Sequence, residues 1–272
     1  MIGWHVPDSE RIVLTPDPGP AAHIPDPQPS EIEDPVTFAR TRLGFHPDPI
    51  QEKMLRANPH RVILNCSRQW GKSTVGAAVA IHRAWTRPGS TILVASPSER
   101  QSGEFVLRCR KMLFHMGLEP SGDGSNAISI AFENGSRIVG VPGKEGRIRG
   151  FSVDLMFIDE AAFVDDSAYH VLRPMLAATK GDLWILSMPN GKRGFFYEAC
   201  TYGKNWTKFT APATQCPRIA PDFLEDERDN MSPTQFAREY LCEFNESEDA
   251  ILSQIIIEKA MQDSLDILKI PT

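Results

Sequence analysis

A lysine, a serine and two adjacent carboxylates are the residues of this sequence whose types and spacing indicate chemistry. Residues 66–74 read CSRQWGKST and lie between an apolar run and an amphipathic stretch. This context is typical of a phosphate-binding loop, in which backbone N–H groups and a helix N-terminus face a triphosphate. Lys72 would then reach the β and γ phosphates, and the Ser73 hydroxyl would bind Mg²⁺. Cys66 stands where the general motif has glycine, so a chance match stays open for this segment alone.

The two carboxylates follow a second apolar run. Residues 153–158 (VDLMFI) predict a buried strand that ends at Asp159 and Glu160. The carboxyl ends of strands are the edge at which open α/β sheets bind ligands. Asp159 is suited to hold Mg²⁺, and Glu160 to orient and activate the water that attacks a γ-phosphate. The alternative is an acidic strand end that caps the following helix.

Alternating apolar and amphipathic segments predict the fold that must position these groups. Strands are predicted at residues 61–65, 91–96, 127–132, 137–141, 153–158 and 183–187, and helices at 72–85, 98–116 and 167–178. This alternation indicates βαβ units around a mainly parallel sheet that is covered on both faces. Residues 133–136 (ENGS) contain the Asn-Gly turn of an antiparallel hairpin, which predicts a β insertion at one side of the sheet.

The chain divides into three parts by composition. Seven prolines within residues 1–33 remove backbone donors and predict an extended arm rather than regular structure. The domain is predicted to occupy residues 34–245, beginning with a helix capped by Asp34, and to carry a small lid over residues 195–245. Residues 246–272 are predicted to be a helix and a linker, too short for another domain.

Net charge and cysteine usage exclude several classes of protein. A formal charge of −6 does not fit a protein that coats DNA uniformly, so any DNA contact must be a local basic patch. Solvated helix faces give such patches too, and the candidates are Arg100, Arg108, Arg110, Lys111, Lys144 and Arg147. The five cysteines are scattered without a C-x-x-C pair, which predicts reduced thiols and no zinc site. Seven histidines without metal-ligand spacing carry no signal.

Three ordered motifs together resemble the terminase large subunits of tailed bacteriophages. They are the loop at residues 67–73 (SRQWGKS), the box at 159–162 (DEAA), and residues 187–191 (SMPNG) followed by 194–197 (GFFY). The resemblance runs from about residue 45 to residue 244. It implies the ATPase domain of a DNA-packaging motor, an α/β P-loop NTPase of the ASCE, RecA-like kind, and in that family the missing first glycine is common.

The resemblance also implies roles for individual residues. The nucleotide would be bound by Gln51, Ser67, Arg68, Gln69, Trp70, Gly71, Lys72, Ser73 and Thr74. Within this set, residues 45–51 (FHPDPIQ) look like the family's adenine-recognition segment, because a glutamine amide can pair with both edges of adenine. The alternative for Gln51 is an exposed residue at a helix start. Ser187, Met188, Pro189 and Asn190 would form the motif that couples hydrolysis to the lid, or simply a turn that leaves a strand.

Four residues are the catalytic candidates: Glu160, Lys72, Arg68 and Arg149. Arg68 would contact the γ-phosphate or sense its loss, unless it is an ordinary solvent-facing loop residue. Arg149 matches the position of an arginine that reaches into a neighbouring subunit's site and stabilises the transferred phosphoryl group. Arg147 is its close rival, and DNA contact is a rival role for both.

A complete hypothesis for function follows from the resemblance. ATP and Mg²⁺ would bind between the subunits of a ring, a homo-oligomer that is pentameric on the capsid, and hydrolysis would push double-stranded DNA through it. The implied partners are a portal protein and a small terminase subunit. Since no apolar run is long enough for a membrane helix and no signal sequence is seen, we expect a protein of the host cytoplasm that docks transiently on the viral procapsid.

Two other classes of function stay open at this point. A helicase or repair translocase shares the P-loop and the acidic box, but it needs a second motor lobe for which the chain is too short. A nucleotide-binding assembly module would bind ATP structurally and hydrolyse little of it. Because the metal-binding aspartates of a nuclease domain are missing, we also expect a chain that hydrolyses ATP without cutting DNA.

Overall fold

The structure is a computed structural model that describes residues 33–57, 59–143 and 152–245. Three groups of predictions lie outside these residues. They are the proline-rich arm, the linker at 246–272, and the roles of Lys144, Arg147 and Arg149.

A seven-stranded sheet forms the centre of the described structure, in the order β3-β4-β2-β5-β6-β1-β7. Its strands are β1 (Arg61–Cys66), β2 (Thr91–Ser96), β3 (Ser129–Ala131), β4 (Arg137–Pro142), β5 (Leu155–Asp159), β6 (Asp182–Ser187) and β7 (Thr207–Ala211). All neighbouring strands are parallel except β3 and β4, which form the predicted antiparallel hairpin at one side of the sheet. The predicted α/β class is therefore confirmed.

Eight α-helices connect and cover the strands in the described part of the chain. They are α1 (Pro35–Thr41), α2 (Pro49–Leu55), α3 (Lys72–Thr86), α4 (Glu99–His115), α5 (Asp166–Leu172), α6 (Gly194–Tyr202), α7 (Pro221–Asn230) and α8 (Pro233–Tyr240). Asp34 caps α1 as predicted, because its carboxylate accepts a hydrogen bond from the Thr37 amide. None of these helices is long and apolar enough to cross a membrane.

Apolar side chains cover both faces of the sheet, which explains why the central strands read as continuous apolar runs. On one face, α1 to α4 pack against alternate strand residues, with Phe38, Phe105 and Phe157 almost fully buried. On the other face, α5 and α6 pack against the remaining residues, and Phe195 stacks on Tyr169. Because both faces of the sheet are covered, the carboxyl ends of β1, β5 and β6 are held in fixed positions at one edge.

Two predictions about element boundaries were wrong. The helix predicted at 167–178 ends at Leu172 and continues as the 3₁₀ turn Arg173–Leu176, because Pro174 has no amide to continue the α-helical ladder. The lid predicted from residue 195 begins too early. Strand β7 pairs in register with β1 in the main sheet, and α6 packs on the main core. The separate lid cluster consists of α7, α8 and the turn before them, around Leu224, Phe236 and Tyr240.

Candidate nucleotide-binding site

The loop between β1 and α3 has the backbone geometry of a phosphate cradle. Gly71 lies immediately before α3 with φ 97°, and Gln69 also has positive φ at 57°. The first amides of a helix have no intrahelical acceptor. The amides of Gly71, Lys72 and Ser73 have no other acceptor in the described part of the chain. These unpaired donors at a helix N-terminus therefore fit the oxygens of a triphosphate.

Lys72 and Glu160 meet directly above this loop. The Lys72 side chain is 9% exposed, and its Nζ lies 3.0 Å from Glu160 Oε1. Glu160 follows β5 with φ 55°, a left-handed conformation that is strained for a glutamate. This backbone turn directs the carboxylate towards the loop instead of along the strand. The lysine and the glutamate thus share one pocket at the carboxyl edge of the sheet.

Ser73 and Asp159 form the second contact between α3 and β5. The Ser73 hydroxyl donates to both carboxylate oxygens of Asp159, at 3.1 Å and 3.0 Å. Burial and the neighbouring negative charge of Glu160 raise the pKa of Asp159 to about 6, although Lys72, Ser73 and Arg108 act in the opposite direction. The group is therefore mainly ionised at pH 7. A hydroxyl and a buried carboxylate beside a phosphate cradle are the oxygen ligands that Mg²⁺ takes in nucleotide sites.

Arg68 is held by the lid in this structure. Its Nε donates to Glu239 Oε2 over 2.8 Å, and its backbone amide donates to the Glu239 carbonyl over 3.1 Å. The Glu239 side chain is 8% exposed and also accepts from Arg238. Most of the Arg68 side chain is exposed, and its guanidinium contacts α8 through Nε. The contact joins the phosphate loop to the lid.

Gln51 supports the phosphate loop from below, and both ends of its side-chain amide are bonded within the chain. Its Oε1 accepts from the Asp48 amide in a capping box, and its Nε2 lies 3.4 Å from the Trp70 carbonyl. The side chain is 2% exposed, so the alternative of an exposed helix-start residue was wrong. The amide is therefore held between Asp48 and the loop, and its role in adenine recognition stays a prediction.

Arg218 is a functional-site residue that sequence reasoning missed. It extends from the lid, donates to the Trp70 carbonyl over 2.8 Å and to Asp48 over 2.9 Å, and lies over the Trp70 ring. Trp70 itself is fully buried. Glu239 was missed in the same way. Neither residue belongs to a local motif, and only the three-dimensional packing of the lid on the loop brings them to the site.

The predicted coupling motif lies beside the acidic box. The Ser187 hydroxyl accepts from the Ala162 amide over 3.2 Å, and Asn190 Nδ2 lies 3.4 Å from the Ala162 carbonyl. Met188, which follows Ser187 in the sequence, is buried. The segment that follows Glu160 is therefore tied to the end of β6, next to the chain that leads into α6.

The candidate DNA-binding residues on α4 have different environments. Arg100 and Lys111 are exposed, whereas Arg108 and Arg110 are partly buried. Arg110 donates to the carbonyls of Pro120 and Ser129, so its guanidinium is committed to holding the loop before β3. A DNA contact by Arg110 stays a prediction. The positive charge of Arg108 lowers the pKa of Asp159, against the larger effects of burial and of Glu160.

We expect Gly71→Ala to weaken nucleotide binding and lower stability by about 1–3 kcal/mol, because alanine is strained at φ 97°. Its Cβ would also lie 2.9 Å from Nε2 of the buried Gln51. Gly89→Ala is the matched control, since Gly89 has φ 73° with no atom within 4 Å of the new methyl group. Thermal unfolding with and without ATP measures both effects. Equal losses in the two variants would contradict a role for the Gln51 contact.

The chain has the fold of P-loop NTPases of the ASCE class: β6 lies between β1, which leads into the phosphate cradle, and β5, which ends at the acidic pair. The family described as "Terminase large subunit, T4likevirus-type, N-terminal" matches residues 63–259, and the chain belongs to that family. The family resemblance deduced from the motifs is thus confirmed.

Three known proteins illustrate the similarity. The large terminase subunit of Escherichia phage T5 is 26% identical over 78% of this chain and 51% of its own length. The large terminase ATPase domain of Thermus phage P74-26 has 21% identity and a TM-score of 0.67, over 76% of this chain and 97% of that one. The large terminase of a thermophilic bacteriophage in complex with ATP-γ-S has 16% identity and a TM-score of 0.59, over 78% and 51%. The chain spans about half the length of the T5 relative.

Proposed function

We propose that this chain is the ATPase domain of a terminase large subunit and that it couples ATP hydrolysis to the movement of double-stranded DNA into a procapsid. The observation that carries the proposal is the convergence of two contacts at one edge of the sheet. Lys72 meets Glu160, and Ser73 meets Asp159, immediately above a helix N-terminus with unpaired amides. Such an arrangement matches the needs of phosphoryl transfer, which depends on positioning and charge stabilisation.

Each group has a distinct task in hydrolysis. The loop amides and Lys72 hold and neutralise the β and γ phosphates, while Glu160 orients the attacking water and accepts its proton. Ser73 and Asp159 are the residues that would hold Mg²⁺, which would neutralise charge on the phosphate oxygens. Arg68 is part of the loop and would contact the γ-phosphate once it is released from Glu239. Arg149, with Arg147 as its rival, stays our prediction for the arginine that a neighbouring subunit supplies.

Movement of DNA is the second half of the proposal. Ser187 and Asn190 connect the segment after Glu160 to the end of β6, while Arg68 and Arg218 connect the phosphate loop to the lid. Changes at the γ-phosphate would therefore reach the end of β6 through one set of contacts and the lid through the other. The proposed partners are double-stranded DNA, a portal protein, a small terminase subunit and further copies of this chain in a ring, acting in the host cytoplasm.

The test combines ATPase measurements with a triplex-displacement assay on procapsids that carry a portal. A duplex translocase displaces a third strand without separating the duplex, so we expect ATP-dependent displacement and ATP hydrolysis stimulated by portal and DNA. Separation of the duplex strands would support the helicase alternative. A negligible ATPase rate in every condition, with nucleotide binding retained, would instead support the assembly module.

A further inference from the structure

A basic cleft lies at the edge of the sheet opposite the nucleotide site. It occupies about 970 Å³ at the amino-terminal ends of β1 and β6, and its charged or titratable lining residues are His60, Arg61, His170, Arg173 and Lys180. None of the described lining residues carries a carboxylate. Arg61 donates to the Gly181 carbonyl, whereas Arg173 and Lys180 are exposed. The lining also includes the apolar residues Leu176 and Ala177, so its chemistry suits an extended segment with both acidic and apolar residues.

We propose that residues 8–17 of this same chain (DSERIVLTPD) occupy the basic cleft. This segment places the apolar residues Ile12, Val13 and Leu14 between Glu10 and Asp17. Residues 1–32 as a whole contain five carboxylates and one arginine, a formal charge of −4. The arm therefore complements the cleft in charge, and the apolar residues at the centre of the segment complement the apolar residues of the cleft lining.

The point at which the arm joins the domain supports this occupant. Glu33, the first described residue, is fixed on α3, because its carbonyl lies 2.9 Å from His82 Nε2. The next residue on that helix, Arg83, pairs with Asp182. Asp182 in turn lies 2.7 Å from Nδ1 of His60, which lines the basic cleft. A short chain of direct contacts thus leads from the root of the arm to the cleft.

The length of the arm is sufficient for this path. Asp17 lies sixteen positions before Glu33, and a proline-rich chain extends by about 3.1 Å per residue, which gives a reach of roughly 50 Å. Binding within one molecule also raises the effective concentration of the segment, so a few exposed ion pairs and a small apolar contact are enough to keep it bound.

Trypsin provides a direct test, because Arg11 is the single lysine or arginine within residues 1–32 and lies inside the proposed bound segment. We expect slow cleavage at Arg11 in the full chain. Cleavage should be about tenfold faster in the double variant Arg173→Glu/Lys180→Glu, since two exposed ion pairs together contribute about that factor. The matched control is Arg100→Glu/Arg193→Glu, which makes the same change in charge away from the cleft and should leave the rate unchanged. Raised salt should accelerate cleavage of the wild-type chain without any substitution.

Carbodiimide cross-linking identifies the occupant. We expect an amide between Lys180 Nζ and a carboxylate of residues 8–17 in a product with the mass of one chain. A cross-linked product with the mass of two chains would overturn binding within the molecule. The proposal would also fail if Arg11 were cut equally fast in the wild type and the cleft variant and the wild-type rate did not depend on salt.

Discussion

Replacing Glu160 with glutamine should reduce ATP hydrolysis by about 10²- to 10⁴-fold, the usual contribution of a general base. Glutamine has the size of glutamate and can still accept the hydrogen bond from Lys72 Nζ, which lies 3.0 Å from Glu160 Oε1. It cannot take a proton from the attacking water. ATP affinity should be unchanged or higher, because the substitution removes a negative charge beside the γ-phosphate. Steady-state hydrolysis and binding of a fluorescent ATP analogue measure the two effects separately.

A magnesium titration excludes damage to the metal site as the cause of the loss. The charge of Glu160 raises the pKa of Asp159, so its removal lowers that pKa and favours the ionised form that binds Mg²⁺. The half-saturating Mg²⁺ concentration should therefore stay the same or fall. Glu104→Gln, on the exposed face of α4, is the matched control and should hydrolyse ATP normally. Hydrolysis by Glu160→Gln at the wild-type rate would remove Glu160 from the catalytic mechanism.

The central sheet could be predicted because its information is local in the sequence. Runs such as residues 183–187 are apolar at every position but the last, as a strand buried on both faces requires, and the loop at residues 66–74 announces the turn from strand to helix. Since β1, β6 and β5 run in the same direction, the groups that follow β1 and β5, among them Lys72 and Glu160, lie at one edge of the sheet. The lid boundary was wrong because the alternation along β7 does not reveal that its partner is β1, more than a hundred residues earlier.

The parts of the site that sequence could not predict depend on distant contacts. Gln51 belongs to a recognisable segment, yet its burial against the Trp70 carbonyl depends on how α2 packs beneath the loop. Arg218 and Glu239 follow no spacing rule, because the lid carries them to the loop through tertiary packing. Burial and pairing of this kind depend on residues that are distant in the sequence and not on the neighbouring residues along the chain.

Arg68→Ala should lower the rate of hydrolysis by about 10²- to 10³-fold, the usual loss when one donor to the transferred group is removed. A second variant, Glu239→Gln, separates a contact with the γ-phosphate from simple attachment of the lid. Arg68 is paired with Glu239 through Nε, and this pair competes with a contact to a γ-phosphate. Glu239→Gln keeps Arg68 but weakens the pair, so the arginine moves more easily.

The two nucleotides then discriminate between the roles of Arg68. Only ATP has the γ-phosphate, so Glu239→Gln should raise ATP affinity up to about fivefold, the value of an ion pair whose arginine is mostly exposed, and leave ADP affinity unchanged. Arg68→Ala should weaken ATP more than ADP. Isothermal titration with ADP and a non-hydrolysable ATP analogue measures both ratios. If Glu239→Gln shifts the two affinities equally, the Arg68 pair serves only to attach α8 to the phosphate loop, and the arginine does not respond to the γ-phosphate.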